Sequence, residues 1–190
     1  MRTMNMSVLA FAFVWLLTPA LADEHRQLGA HVHGHGRLNI AIEGKKVSME
    51  LEAPGADIAG FEHEASTPEQ KTAIAEAKAK LANALSLFAP APQAKCELEH
   101  VKVSIEAGHE EEHEHEHEHA QEAEEHHHSE FHAEYSLECR SLSRLTSMNF
   151  DYFNAFPAAQ ELDVSVIGPK GQSSFEVTRE KPNLDLAGIM

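Results

Sequence analysis

Apolar and polar residues alternate in three separate stretches of the chain, and each stretch predicts a pair of strands. The first stretch turns at Gly44-Lys45, and its apolar positions are Leu38, Ile40, Ile42, Val47, Met49 and Leu51. The last stretch turns between Gly168 and Gly171, and its apolar positions are Leu162, Val164, Val166, Phe175 and Val177. Such a turn between two alternating runs is typical of an antiparallel hairpin with one buried face.

The middle stretch contains both cysteines of the chain. Cys96 opens a run that continues to Ile105, and Cys139 closes a run that begins at Phe131. As antiparallel partners, these runs place position 96 opposite 139, 105 opposite 130, 100 opposite 135 and 103 opposite 132. A His- and Glu-rich segment between the two runs then becomes the loop of this hairpin.

Two further segments show helical spacing. Thr67 can cap a helix that starts at Pro68, with Gln70 completing a capping box. Its apolar stripe, which runs up to Pro90, consists of Ile74, Leu81, Leu85 and Phe88. A second stripe stops at Pro157 and consists of Leu145, Met148, Tyr152, Phe153 and Phe156. We interpret this aromatic stripe as core packing rather than a ligand site.

The order of these elements predicts the fold class. Three hairpins and two helices in the order ββαββαββ predict an α+β domain, in which an antiparallel sheet carries the helices on one face. The length of the chain suits a single domain over residues 23–190, with a disordered loop at 108–129.

The beginning of the chain has the composition of a cleaved leader. Arg2 precedes an apolar run from Val8 to Leu17, and the small residues around Ala22 predict cleavage before Asp23. We therefore expect a signal peptide over residues 1–22 and a periplasmic protein without membrane insertion. In an oxidising compartment Cys96 and Cys139 are expected to form a disulfide; a metal-binding Cys pair is disfavoured because no C-x-x-C spacing is present.

Residues 109–128 read HEEEHEHEHEHAQEAEEHHH, and eight of these twenty residues are His and nine are Glu. Imidazole is the commonest protein ligand for zinc, copper and nickel, and nothing in this tract can build a core. In an extended chain the alternating imidazoles project to one side, so that neighbours can share an ion. The predicted ligands of the tract are His109, His113, His115, His117, His119, His126, His127 and His128.

A tighter site is predicted near the start of the exported chain, where His31, His33 and His35 alternate in the run HVHGHG. Glycines in this run let the backbone turn, so that several rings can reach one ion, with His63 as a possible further ligand. If cleavage follows Ala22, His25 becomes the third residue, and an amino-terminal site for copper or nickel is an open alternative. We place His100 and His132 on strand surfaces.

Several longer motifs resemble the ZrgA family of exported proteins. They are HVHGHGRLNIAIEG, PGADIAGFEHEAST, LSLFAPAPQAKC, FHAEYSLEC and NFDYFNAFPAAQELDVSVIGPKGQ, which together span nearly all of the predicted exported chain. The resemblance implies a periplasmic zinc-binding protein, made when zinc is scarce, that assists a zinc ABC importer. It also implies that His31, His33, His35 and His63 belong to the family's HxHG and GFEH motifs.

Charge and missing motifs narrow the function classes. The formal charge of −16 repels nucleic acid and anionic lipid, and it concentrates cations around the protein. Catalysis is not expected, because the HEEEH string at 109–113 lies in a low-complexity tract rather than on an amphipathic helix. The expected function is therefore zinc capture or buffering for uptake, with several ions per chain. Copper or nickel sequestration for metal tolerance is the alternative, and a pH-responsive or structural protein remains a third class.

Overall fold

The computed structural model describes residues 32–107 and 128–190, which contain nine strands and four short helices. The strands are β1 (His35–Glu43), β2 (Lys46–Pro54), β3 (Phe88–Pro90), β4 (Cys96–Ala107), β5 (Ser129–Cys139), β6 (Ser147–Phe150), β7 (Glu161–Gly168), β8 (Gly171–Thr178) and β9 (Asn183–Asp185). The helices are α1 (Gly55–Ala59), α2 (Pro68–Leu81), α3 (Ala84–Leu87) and α4 (Tyr152–Ala155). The predicted leader at 1–22 lies outside the described residues.

Six strands form one mixed sheet in the order β4-β5-β2-β1-β7-β8. Neighbouring strands are antiparallel except β1 and β7, which run parallel in the interior of the sheet. The remaining strands form a small antiparallel sheet in the order β3-β6-β9. The small sheet and the helices supply the second layer of the molecule.

The hydrophobic core lies on one face of the large sheet. Along β1 every second residue is buried, from Leu38 to Ile42, while the residues between them are exposed. Aromatic rings from the other layer complete the core: Phe88 contacts Tyr135, Phe150 and Tyr152 at centroid distances of 5.4 to 5.9 Å. The alternation seen in the sequence therefore reports which sheet face is buried.

The predicted hairpins are confirmed. β1 pairs with β2, β4 with β5 and β7 with β8, all antiparallel. The disulfide between Cys96 and Cys139 is present, and these two residues are register partners.

The predicted register of the middle hairpin is wrong beyond its first three pairs. A β-bulge between Leu98 and His100 shifts the pairing by one residue, so that His100 lies opposite Ser136 and Ser104 opposite His132. The apolar positions change phase here, from 96 and 98 to 101, 103 and 105. Because an unbroken register would turn one set away from the core, the extra residue keeps both sets on the same face.

The predicted ββαββαββ arrangement is also wrong, because the described chain is mostly β and its large sheet contains a parallel pair, β1 and β7. The expected second helix is replaced by a 3₁₀ turn, β6 and the single turn of α4. Met148 and Phe150 are buried at alternate positions of β6, and Phe150 lies outside the helical stripe. The stripe residues are nevertheless buried, as predicted for core. Their spacing is compatible with both the 3.6-residue period of a helix and the two-residue period of a strand. Pairing with β3 and β9 decides between the two.

The first helix begins as predicted and ends early. Thr67 and Gln70 form the capping box at its start. The helix ends at Leu81, and Phe88 belongs to β3 instead of the helical stripe. Asn83 interrupts it, since its side-chain amide donates to the carbonyl of Ala79 at 2.9 Å and its backbone leaves the helical region.

Removing the disulfide should destabilise the fold without changing its topology. Replacing Cys96 and Cys139 with Ala is expected to lower the free energy of unfolding by about 4 kcal/mol, because the bond restricts a long loop in the unfolded chain. Urea denaturation of the oxidised protein and the double variant measures the difference. An equal midpoint for the two proteins would contradict this prediction.

Candidate metal site

Four segments meet at one end of the large sheet. They are the turn before β1, helix α1, the loop that follows α1 and the beginning of β5. Ala107 and Ser129 are register partners at this end, so the His-rich tract leaves and re-enters the described chain here. Both His-rich segments of the sequence therefore attach to the described domain at the same end.

Glu62 lies between two imidazoles at this end. His128 Nδ1 is 2.7 Å from Glu62 Oε2, and His33 Nε2 is 3.1 Å from Glu62 Oε1. The Glu62 side chain is 11% exposed, whereas those of His33 and His128 are 67% and 49% exposed. The cluster thus combines a largely buried carboxylate with two rings that solvent and ions can reach.

The neighbours of Glu62 favour its ionised form. Burial raises the pKa of Glu62, but the interactions with His128 and His33 lower it by more, so the net shift is downward. An ionised carboxylate here attracts a cation or a protonated imidazole.

The two contacts of Glu62 differ in kind. His128 forms a hydrogen bond with Glu62, whereas the 3.1 Å approach of His33 lacks full hydrogen-bond alignment. Among residues 32–107 and 128–190, Glu62 Oε1 therefore has no hydrogen-bond partner. A neutral His128 that donates from Nδ1 to Glu62 keeps a lone pair on Nε2, the arrangement by which carboxylates orient zinc-binding imidazoles.

Close backbone packing brings His128 to Glu62. The amide of Ser129 donates to the carbonyl of Glu62 at 2.9 Å. Helix α1 packs closely against Ser129. A Cβ on Gly55 would collide with Ser129 Oγ and approach the Phe61 carbonyl oxygen to 2.7 Å. Glycine at position 55 thus permits the approach of α1 to β5.

A second carboxylate, Asp57, holds the segment that carries His33. Asp57 lies on α1, is 5% exposed, and accepts the Gly34 N–H with both oxygens at 2.9 Å. Burial raises the pKa of Asp57, and the Gly34 hydrogen bond and nearby His33 oppose this shift. Sequence reasoning missed Asp57 and Glu62. Two signals were available: Asp57 is an acidic residue in an otherwise apolar run, and Glu62 adjoins His63 in the GFEH motif.

The other predicted ligands in the described chain lie apart from Glu62. His35 approaches Glu161 Oε1 at 3.6 Å. His63 is exposed, stacks on Phe61 at 5.0 Å and contacts the carbonyl of Glu64 and the side chain of Gln70. The structure thus brings together His33 and His128, and places Glu62 rather than His63 between them.

The remaining predicted ligands lie outside the described residues. These are His25, His31, His109, His113, His115, His117, His119, His126 and His127. Within residues 32–107 and 128–190 alone, no three His, Cys, Asp or Glu side chains form a group able to hold a metal ion. The described part of the site provides an incomplete ligand set.

His132 occupies a different position from the exposed one expected. It is 8% exposed, and its Nε2 lies 3.2 Å from Glu130 Oε2 and 3.6 Å from Glu106 Oε2. The 3.2 Å contact lacks full hydrogen-bond alignment, so we describe it as an ion pair. The interaction with Glu130 raises the pKa of His132, burial opposes the rise, and the charges of Glu106 and Glu52 add to it. His100, by contrast, is exposed on β4 as expected.

The match to a known protein family covers nearly the whole described domain. Residues 30–186 match the family model described as ZrgA family zinc uptake protein. The chain belongs to this family. The resemblance predicted from the sequence motifs is therefore confirmed, and ZrgA membership indicates a role in zinc uptake with zinc as the ion. No curated protein matches the chain.

ZrgA membership also bears on location and activity. Together with the disulfide, it suggests an extracytoplasmic protein. The family is known for zinc uptake and not as an enzyme family. In the described ranges 32–107 and 128–190, no helix is long and apolar enough to cross a membrane.

Substituting Gly55 tests the packing that brings His128 to Glu62. Gly55→Ala is expected to destabilise the protein by about 1–3 kcal/mol, since its Cβ must displace Ser129 or the loop after α1. The same displacement should weaken zinc binding. Denaturation and a zinc titration against a chelator measure both effects. Gly188→Ala is the matched control, because a Cβ there meets no atom within 4 Å; equal behaviour of the two variants would contradict the prediction.

His132 should make stability depend on pH. Because its folded pKa lies above the unfolded value of about 6.5, its stabilising contribution is complete below that pH. The contribution is lost as pH rises through the folded pKa. The difference in unfolding free energy between the unaltered protein and His132→Gln should therefore be larger at pH 6 than at pH 9, measured with chelator present. His100→Gln changes an exposed residue on the neighbouring strand. Its difference in unfolding free energy from the unaltered protein should be the same at pH 6 and pH 9.

Proposed function

We propose that the protein captures zinc in the periplasm and buffers it for a zinc ABC importer, without catalysing a reaction. The observation that carries this proposal is the pair His33 and His128 on either side of Glu62, in a member of a zinc uptake family. The predicted leader and the disulfide support a periplasmic location. The periplasmic component of the importer is the proposed recipient of the ion.

The chemistry of the pair suits zinc. Two ligands bound at about 2.0 Å in a tetrahedral arrangement lie roughly 3.3 Å apart, and the separation of 3.1 Å between His33 Nε2 and Glu62 Oε1 is close to this value. His128 keeps its Nδ1 hydrogen bond to Glu62 and offers Nε2 to the ion. Neutral imidazoles and an ionised carboxylate are the required protonation states, so binding should weaken in acid.

Completing the coordination requires ligands beyond the described pair. His31 adjoins the described chain near His33, and His126 and His127 immediately precede His128. We assign these three residues to the tighter site as the nearest candidates along the chain. His35 is a weaker candidate because its ring approaches Glu161. His63 is left as a weaker candidate because its ring contacts Phe61 and Gln70.

The His- and Glu-rich tract has a separate role in this proposal. Its many similar ligands favour several exchangeable zinc ions, each bound less tightly than in a preformed site. The acidic charge of the chain raises the local cation concentration, which assists capture. The tract ends at His128, so the proposed tighter site directly follows it along the chain.

A zinc titration against a competing chelator tests this division of roles. In one variant a short Gly-Ser turn replaces residues 109–125, so that His126 and His127 are kept; the pairing of Ala107 with Ser129 allows this replacement. Others carry His33→Ala, His128→Ala or Glu62→Gln, and His100→Ala is the matched control. We expect the tract variant to lose most ions but keep the tightest one. The three site substitutions should weaken that ion, and the control should not.

Other results would redirect the assignment. If His33→Ala and His128→Ala leave the tightest zinc unchanged, the proposed site is wrong. If copper or nickel displaces zinc at equal concentration and zinc-poor growth is normal without the protein, metal tolerance replaces uptake as the function.

A further inference from the structure

We propose that Asp57 is a positioning residue for zinc binding, acting through the amide of Gly34 to aim the His33 imidazole at Glu62. This inference rests on the function proposed above. It concerns a residue that contacts the backbone beside a ligand and that does not itself bind the ion. The geometry on both sides of Gly34 carries it.

The Gly34 residue is fixed from two directions. Its N–H donates to both oxygens of Asp57 at 2.9 Å, and its carbonyl accepts from the amides of Gln160 and Glu161 at 2.8 and 2.9 Å. Its φ of +85° belongs to the left-handed region that favours glycine. A Cβ at this position would also approach Gln160 Cγ to 3.2 Å. The backbone between His33 and His35 therefore has one well-defined course.

His33 depends on that course for its position. Its side chain is 67% exposed, so packing contributes little to holding the ring. Its neighbour Gly34 is anchored to α1 by Asp57, and Glu62 follows α1 by three residues. Asp57 thus connects the backbone that carries one imidazole to the helix that precedes the shared carboxylate.

A purely structural role for Asp57 is less consistent with its surroundings. Burying a carboxylate opposes folding, as the raised pKa of Asp57 indicates, and an apolar residue in such a place is often neutral or stabilising. Asp57 is not placed to ligate, because both of its oxygens are engaged by the Gly34 amide and it is 5% exposed. An acceptor that fixes the segment carrying His33 accounts for both observations.

The test compares Asp57→Ala with Asp57→Asn, whose amide oxygen still accepts the Gly34 N–H. Val177→Ala is the control for general destabilisation, since Val177 is buried in β8, opposite Leu162. Two properties are measured on the purified protein under conditions where each variant is folded. They are the affinity for the tightest zinc ion and the visible absorption of bound cobalt(II), which reports coordination geometry.

We expect Asp57→Ala to weaken the tightest zinc about 10- to 100-fold, as substitution of residues that orient metal ligands does, and to change the cobalt spectrum. Asp57→Asn should restore both properties to near those of the unaltered protein, and Val177→Ala should change neither. If Asp57→Ala does not fold, Asp57→Leu replaces it, because Leu has the same branched arrangement of heavy atoms without a hydrogen-bond acceptor.

Two results overturn the inference alone: an Asp57→Ala affinity equal to that of Val177→Ala, or an Asp57→Asn affinity as low as that of Asp57→Ala. The latter would mean that zinc binding depends on the negative charge of Asp57 and not on its hydrogen bond to Gly34. A parallel His33→Ala variant separates this from failure of the proposed function. If His33→Ala keeps the tightest zinc, the site itself is misassigned and both proposals fall.

Discussion

Strand β5 pairs with a neighbour on each side, and the candidate site depends on the register of that pairing. From Glu130 to Glu138 its residues lie opposite both β2 and β4. Phe131, Ala133 and Tyr135 face the core, so a shift by one residue would place Glu130 and His132 there instead. Glu130 and His132 are already buried away from the core, so the loss of apolar core packing is what specifies the register, and the register brings His128 beside Glu62.

Three carboxylates are withdrawn from water around this end of the sheet, and each is balanced differently. Asp57 is paired with a backbone amide, Glu62 with two imidazoles, and Glu130 with His132. Amide and imidazole dipoles offset only part of the cost of burying a negative charge. On the proposed function, proton and metal binding at Glu62 therefore compete for the same electrostatic stabilisation, and zinc affinity should depend on pH there.

Local patterns predicted those elements for which one period was unambiguous. The β1–β2 and β7–β8 hairpins and the Thr67 capping box depend on neighbours in sequence, and all are present. The segment from 145 to 156 was mistaken for a helix because its spacing also fits a strand followed by one helical turn. Its pairing partners, β3 and β9, are remote in sequence, and the parallel contact of β1 with β7 joins residues still farther apart. No local pattern contains that information.

The same reasoning explains why the histidines were easier to find than the residues that organise them. The composition of an alternating His run is enough to predict metal binding. Glu62 and Asp57, by contrast, act through contacts with residues distant in sequence. His33 and His128 are separated by most of the described domain, yet one carboxylate contacts both. On the proposed function, selectivity then arises from the fold, which sets this spacing, while capacity arises from the tract. A longer or shorter tract would change the number of ions held and leave the affinity of the shared site unaltered.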